Sequence, residues 1–222
     1  MDFALQEDQV ATVDVARKFA TSHVAPGYGE RDKTGRFSKD LAIEMGSLGL
    51  IAPEQPEALG GSGVSYITAG LVLEEIAKAD FNMAYVQLLA SLNTQILARY
   101  AGREIAEFWI PRVCAGQAIL GVALTEPSGG SDAANLQLKA RKVEGGYCLK
   151  GEKTSISLAD QADVMIVFAR TGGADSRAKG VSAFIVDMTW NGLSCSRSDD
   201  LGQRCIGRGS IFFDDVFVPD SH

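Results

Sequence analysis

Between an apolar stretch, Ala118 to Leu124, and an alternating one, Leu136 to Cys148, lies Thr125-Glu126-Pro127-Ser128-Gly129-Gly130-Ser131-Asp132. Adjacent glycines and small hydroxyl residues let backbone N–H groups come close to a polar planar or anionic ligand, so the segment reads as a strand ending in a ligand-facing loop. An ordinary Gly/Ser-rich hairpin turn is the alternative reading, and the glycines alone do not separate the two. Other chemistry-bearing residues are scattered. Cys114, Cys148, Cys195 and Cys205 show no Cys-x-x-Cys spacing, and the only histidines are His23 and His222. That argues against zinc, thioredoxin-like chemistry and a histidine-assisted Ser or Cys nucleophile, and favours buried or half-buried free thiols in a reducing compartment. Glu74 and Glu75 are neighbours on a helix and do not face each other, so they read as capping or salt-bridge residues rather than a carboxylate dyad. No metal ligand and no catalytic residue is assigned.

The elements that would carry the loop divide at about Gly116, giving a helical domain over 1–116 and a β domain over 117–222. From Gln6 to Val24, Val10, Val13, Ala16, Ala20 and Val24 recur every three or four residues, an amphipathic helix that Pro26-Gly27 stops and that carries His23 in its last turn. Ser38 caps a short helix with Leu41, Met45 and Leu48 inward, ended by Gly49. Pro53 to Gly63 is a loop. Ser65 to Lys78 and Asn82 to Tyr100 are two largely apolar helices, the second interrupted by Asn93, Thr94 and Gln95, which solvate a buried boundary or line a cavity. Arg103 to Ala115 is a last helical piece in which Pro111 starts a separate turn.

Strands are expected at Ala118–Thr125, Leu136–Val143, Tyr147–Leu149, Thr154–Ser157, Val164–Arg170, Val181–Val186, Leu193–Ser196 and Ser210–Val218, with turn signals at Gly145-Gly146, Gly172-Gly173 and Asn191-Gly192. Tight turns without intervening helices predict an antiparallel barrel or sandwich, hence an α+β chain with an all-α bundle first. No Gly-x-Gly-x-x-Gly lies between a strand and a helix, so a Rossmann domain is not supported.

The 222 residues suffice for one large or two small cores. Net charge is −7 and no basic stripe appears, which argues against nucleic acid or an anionic membrane as partner. No apolar run approaches the roughly 18 residues of a membrane span, and Met1 to Asp8 lacks the pattern of a secretory leader, so the reading is cytoplasmic.

Leu124-Thr125-Glu126-Pro127 with Gly130-Ser131-Asp132 resembles the signature of the acyl-CoA dehydrogenase family. Leu149-Lys150-Gly151-Glu152-Lys153 with Ile156-Ser157, and Phe213-Asp214-Asp215-Val216-Phe217-Val218-Pro219, match two further family segments in the expected order. The resemblance covers essentially the whole chain. It implies a flavoprotein oxidoreductase using FAD to dehydrogenate the α,β bond of an acyl-CoA thioester, with hydride passing to flavin N5 and electrons onward to an electron-transfer flavoprotein.

By the same resemblance Val122, Leu124 and Thr125 contact the isoalloxazine, Thr125 near N5 and the pyrimidine edge. Gly130 and Ser131 lie at the far side of the turn, Ser131 meeting acyl-CoA or flavin, and Ser155, Ile156 and Ser157 belong to the second flavin strand. At Ser155 many members carry a tryptophan; a smaller residue opens volume and suggests a ring-bearing substrate such as cyclohexanecarboxyl-CoA, a linear acyl chain being the alternative. The family's catalytic base stands on a C-terminal helical domain that would begin where this chain stops, so the expectation is a fragment without turnover of its own, the full-length enzyme being a homo-oligomer, a homotetramer. Rival readings are an acyl-CoA oxidase or flavin monooxygenase of the same fold, and a non-catalytic binding or assembly module.

Overall fold

The computed structural model describes residues 4–222; Met1 to Phe3, the start of the segment read for a leader, lie outside the described residues. Two compact units divide the chain. One comprises the residues through Ala118 with Gly202–Ile206, the other Ile119–Leu201 with Gly207–His222.

The first unit is helical: α1 (Glu7–Phe19), α2 (Tyr28–Thr34), α3 (Lys39–Ser47), α4 (Tyr66–Ala79), α5 (Phe81–Tyr100) and α6 (Arg103–Cys114). The expected cap forms at Ser38, which accepts from Leu41 N–H, and Ser65, read only as the start of its helix, caps α4 by accepting from Thr68 N–H. Pro26 does not stop the first helix as expected. The turn before it, Ala20–Val24, widens to π-helical bonding, with Ala25 N–H reaching Ala20 O, and a 3-10 turn then leads directly into α2. What holds α2 is not local. Its Arg31, buried, donates from Nε to the buried Asp80 at 2.8 Å, and Asp80 also caps α5 through Asn82 N–H. Gly35, at φ 65, ends α2.

Two further expectations are corrected. Pro111 removes one main-chain donor from α6 but does not break it, because Ile110, Val113 and Cys114 on either side of it are buried. Val10 and Leu48, expected inward, are exposed; Val13, Ala16 and Met45 are buried as expected, and Ala42 joins them in the core. Glu75 pairs with Arg17 and Lys78, and Glu74 with Lys78, as the salt-bridge reading required. His23 lies beside Glu44 at 3.1 Å and stacks on Phe19.

The second unit is a seven-stranded sheet ordered β1-β4-β2-β3-β7-β6, with β5 on β4. Its strands are β1 (Leu120–Ala123), β2 (Lys139–Val143), β3 (Gly146–Ile156), β4 (Val164–Arg170), β5 (Val181–Asp187), β6 (Leu193–Arg197) and β7 (Gly209–Pro219). The sheet is mixed rather than wholly antiparallel: β1 runs parallel to β4, Leu120 opposite Val164 through Ala123 opposite Val167. Short turns argue for antiparallel pairing only between sequence neighbours, and here the β2–β3 hairpin intervenes between the two partners. The expected strands Tyr147–Leu149 and Thr154–Ser157 are one strand, β3, whose ladder with β7 shifts register between Leu149 and Gly151 and again between Lys153 and Ile156. Leu138, Leu149, Met165, Val167, Phe184, Ile211, Phe213 and Val216 centre the core.

Two glycines in the helical unit test this packing in opposite senses. Gly116 sits at φ +68 with an added Cβ only 2.0 Å from Ala42 O, whereas Gly70, exposed within α4, has nothing within 4 Å. Gly116→Ala should cost about 1–3 kcal/mol or more, and Gly70→Ala should add about 0.5–1 kcal/mol. Urea unfolding of the two variants beside the parent checks both signs.

Candidate flavin edge in the sheet unit

β1 delivers the chain to Leu124 and Thr125, after which Glu126 and Gly129 close a tight turn on each other, N–H to carbonyl both ways at 3.2 and 3.0 Å. The Glu126 side chain turns inward, where it is 4% exposed. Its Oε1 accepts from Leu138 N–H at 2.8 Å and from Lys153 Nζ at 2.8 Å, and its Oε2 accepts from Gln137 N–H. Lys153, fully buried in β3, donates also to Leu124 O at 2.9 Å. Thr154 N–H donates to Thr125 O at 2.9 Å. Two stretches 27 positions apart thereby become one edge.

Burial alone would push the Glu126 carboxyl up, but the Lys153 hydrogen bond and the amides of Leu138 and Gln137 outweigh it and hold the group below its ordinary 4.5. Burial acts on Lys153 in the other sense: it lowers the ammonium from its ordinary 10.5, and Glu126 offsets only part of that. The arrangement of donors and acceptors, Lys153 giving to a carboxylate and a carbonyl, is that of an ion pair.

The residues singled out from sequence fall into three sets around this pair. Val122, Leu124 and Thr125 are half-buried, beside the fully packed Leu120 and Ala123. Gly130 and Ser131 are exposed, and Gly130 approaches Thr125 so closely that an added Cβ would lie 3.3 Å from Thr125 Cγ2. Ser155 is exposed at φ 54, Ser157 is half-buried, and Ile156 points its side chain into the sheet core, leaving only its main chain for a ligand. In the sequence Glu126 and Lys153 stand only as letters of two motifs. The signal that could have paired them was an acid ending an apolar strand and a lysine two and four places beyond Gly151 and Leu149, on the alternation that points inward.

The donor set suits a planar heteroaromatic with an alternating polar edge. Hydroxyls of Thr125, Ser131 and Ser155 and the loop amides can meet ring nitrogens and carbonyls, while Val122 and Leu124 offer apolar surface to a ring face. Among the described residues no three or more His, Cys, Asp or Glu side chains gather as a metal site, and no helix is long and apolar enough to cross a membrane. Cys114 and Cys205 are buried free thiols and Cys148 is half-buried, but Cys195, expected to be covered, is exposed on β6, where its thiol donates to Ala159 O. Burial pushes the Cys114 thiol up to about 11, helped by the charge of Glu54.

A helical unit followed by a mixed sheet whose first strand ends in a Thr/Gly/Ser edge defines the architectural class. The acyl-CoA dehydrogenase N-terminal domain model matches residues 6–117, and the acyl-CoA dehydrogenase middle domain model matches residues 121–216. Benzylmalonyl-CoA dehydrogenase of Aromatoleum aromaticum is 32% identical over 100% of this chain and 58% of its own length. Glutaryl-coenzyme A dehydrogenase in its glutaryl-CoA complex superposes with a TM-score of 0.94 at 28% identity, over 100% of this chain and 58% of that one. PigA with FAD and proline superposes with a TM-score of 0.93 at 28% identity, over 100% and 59%. The chain belongs to the acyl-CoA dehydrogenase family. It spans somewhat over half the length of the relatives it matches.

Removing one member of the buried pair leaves the other charge uncompensated, so Glu126→Leu or Lys153→Met alone should destabilise the sheet unit by about 3–5 kcal/mol, and the double variant by less than the sum. Because the folded Glu126 titrates below its ordinary value, its contribution is complete above about pH 4.5 and is lost as pH falls through the lower folded value. Acid unfolding followed by circular dichroism should therefore be shallower in Glu126→Gln than in the parent.

Proposed function

We propose that the whole protein is an FAD-dependent acyl-CoA dehydrogenase, with residues 1–116 as its helical domain and 117–222 as its flavin-bearing β domain. The observation that carries the reading is the edge itself: Thr125, backed by the buried Glu126–Lys153 pair, beside the Gly130-Ser131 turn and the outward Ser155. Family membership supports the same assignment, and the likeness to a protein solved with FAD and proline favours the cofactor independently of the thioester. When bound, the flavin supplies the hydride acceptor that no side chain can provide.

The roles of the chain's own residues follow from where each stands. Thr125 offers its hydroxyl and N–H to the N5 and pyrimidine side of the ring, with Val122 and Leu124 packing against its face. Gly130 gives the ring or its substrate close access to the main chain, and Ser131 donates to bound acyl-CoA or flavin. Ser155, main-chain groups of Ile156, and Ser157 complete the second side. The base that takes the α proton is assigned to none of these. The substrate class is an acyl-CoA thioester, with a ring-bearing acyl group favoured by the small Ser155. The electron acceptor implied by the family is an electron-transfer flavoprotein, the assembly a homo-oligomer, and the compartment the cytoplasm.

The full-length protein, purified intact, should show the visible flavin bands or regain them with added FAD; absence of both would end this reading. Thr125→Val should weaken FAD binding about tenfold, the equivalent of one charge-free to moderately strong hydrogen bond. With an artificial electron acceptor, cyclic acyl-CoA esters should turn over faster than linear ones.

A further inference from the structure

We propose that the connection between β4 and β5 is a buttress for the Gly/Ser loop and that Arg170 is the positioning residue coupling the two, an inference that rests on the flavin reading of that loop. Arg170 ends β4. Its N–H donates to Leu138 O at 2.7 Å, while its guanidinium faces two ways. Towards the loop, Nε donates to Leu136 O at 2.8 Å and Nη2 to Ala134 O at 2.7 Å. Towards the hairpin, Nη1 donates to Arg177 O at 3.2 Å and lies 3.4 Å from Ser176 Oγ. One planar fork thus spans two loops through main-chain acceptors, which the single compact ammonium of a lysine cannot do.

The hairpin side is built to bear on something. Residues Ala174–Gly180 form a 3-10 lobe rather than the bare Gly172-Gly173 turn the sequence suggested. Ser176 donates from both its N–H and its hydroxyl to Gly173 O. A Cβ on Gly180 would lie 2.8 Å from Ser176 Cβ and 3.1 Å from Gly172 Cα, so any larger residue there must displace Ser176. Arg177 within it is held at φ 48, ψ −133, a conformation that persists only where the surroundings impose it. That conformation presents its carbonyl to Arg170, while its guanidinium stands 3.7 Å from Asp132 in the loop.

A loop that presents donors to a ligand must be held by groups other than those donors. Glu126 holds the loop's far end through Gln137 and Leu138, and Arg170 holds its middle through Ala134 and Leu136. Ahead of these anchors, between Glu126 and Ala134, Ser128 and Ser131 remain exposed. The exposed Arg177–Asp132 pair adds little; the buttress acts through Arg170.

The test uses the full-length protein stripped of flavin and titrated with FAD, reading the dissociation constant from fluorescence, the visible circular dichroism of the bound flavin, and the melting temperature of the apoprotein. Arg170→Gln should raise the dissociation constant about tenfold or more and change the flavin dichroism. Arg170→Lys should restore only part of both, and Arg177→Gly, which relieves the backbone while deleting the exposed pair, should leave both near the parent. If Arg170→Gln fails to fold, Arg170→Lys and Ser176→Ala carry the comparison. A folded Arg170→Gln with parental affinity and dichroism overturns the proposal, as does an equal loss of affinity in Gly116→Ala, which is destabilised in the helical unit. A parent protein that binds no FAD would instead overturn the function proposed above, so the two failures are distinguishable.

Discussion

A carboxylate and an ammonium that water does not reach hold the functional edge of this molecule together. Taking Glu126 and Lys153 out of solvent is costly, and the cost is offset only because nearly every polar valence has a partner: two amides and Nζ for the carboxylate, a carbonyl besides for the ammonium. The pair ties three segments the sheet ladder leaves separate. β1 is hydrogen-bonded to β4, not to β2 or β3, so the chain after Ala123 has no ladder to follow until Lys139. An apolar pair of the same volume would fill the space but leave Gln137 N–H, Leu138 N–H and Leu124 O without partners. That asymmetry accounts for charges where a hydrophobic core would otherwise be cheaper.

Much of the chain was legible because its signals are local. The hydroxyl cap at Ser38 and the left-handed glycines at 49 and 116 each depend on a few neighbouring residues, and the helix ends follow from them. What escaped depends on contacts between distant positions. Pro26-Gly27 reads as a stop by any local rule, and only the buried Arg31–Asp80 bridge, 49 positions apart, makes a helix beyond it worthwhile. Strand positions were readable where strand partners were not: parallel pairing of β1 with β4 is decided by how the β2–β3 hairpin folds between them. At the candidate site the glycine-and-serine loop declared itself through composition. The pair behind it did not, since each member is one charged letter whose meaning appears only when the other is beside it.

The alternation of β3 shows how a packed strand comes to present hydroxyls. From Tyr147 to Lys153 the inward residues are odd-numbered, with Leu149 and Lys153 fully buried. Continued unchanged, that period would send Ser155 into the core and Ile156 out to solvent. Instead Lys153 pairs with Ile211 and Ile156 with Gly209, three residues of β3 against two of β7, a bulge with Ser155 at φ 54 as its left-handed residue. The parity inverts: Ile156 and Leu158 are buried, Ser155 is exposed and Ser157 half-buried.

The same sheet pair carries the complementary defect one turn earlier, where Leu149 and Gly151 face Val216 and Phe213 and the extra residue lies on β7 beside Asp215, itself at φ 54. Two bulges on opposite strands cancel in net register, so the long β3–β7 ladder regains its frame while each bulge inverts the alternation only of the strand that carries it, β7 at the first and β3 at the second. The second bulge therefore has a local consequence only, confined to residues 154–157. A left-handed conformation is tolerated far better by a small polar residue than by a bulky one, so the backbone geometry that turns position 155 outward also favours a residue as small as serine there. The outward, small side chain at that point and the exposed hydroxyl it carries thus have a single cause, the inserted residue that lets Lys153 stay buried while Ser155 faces out.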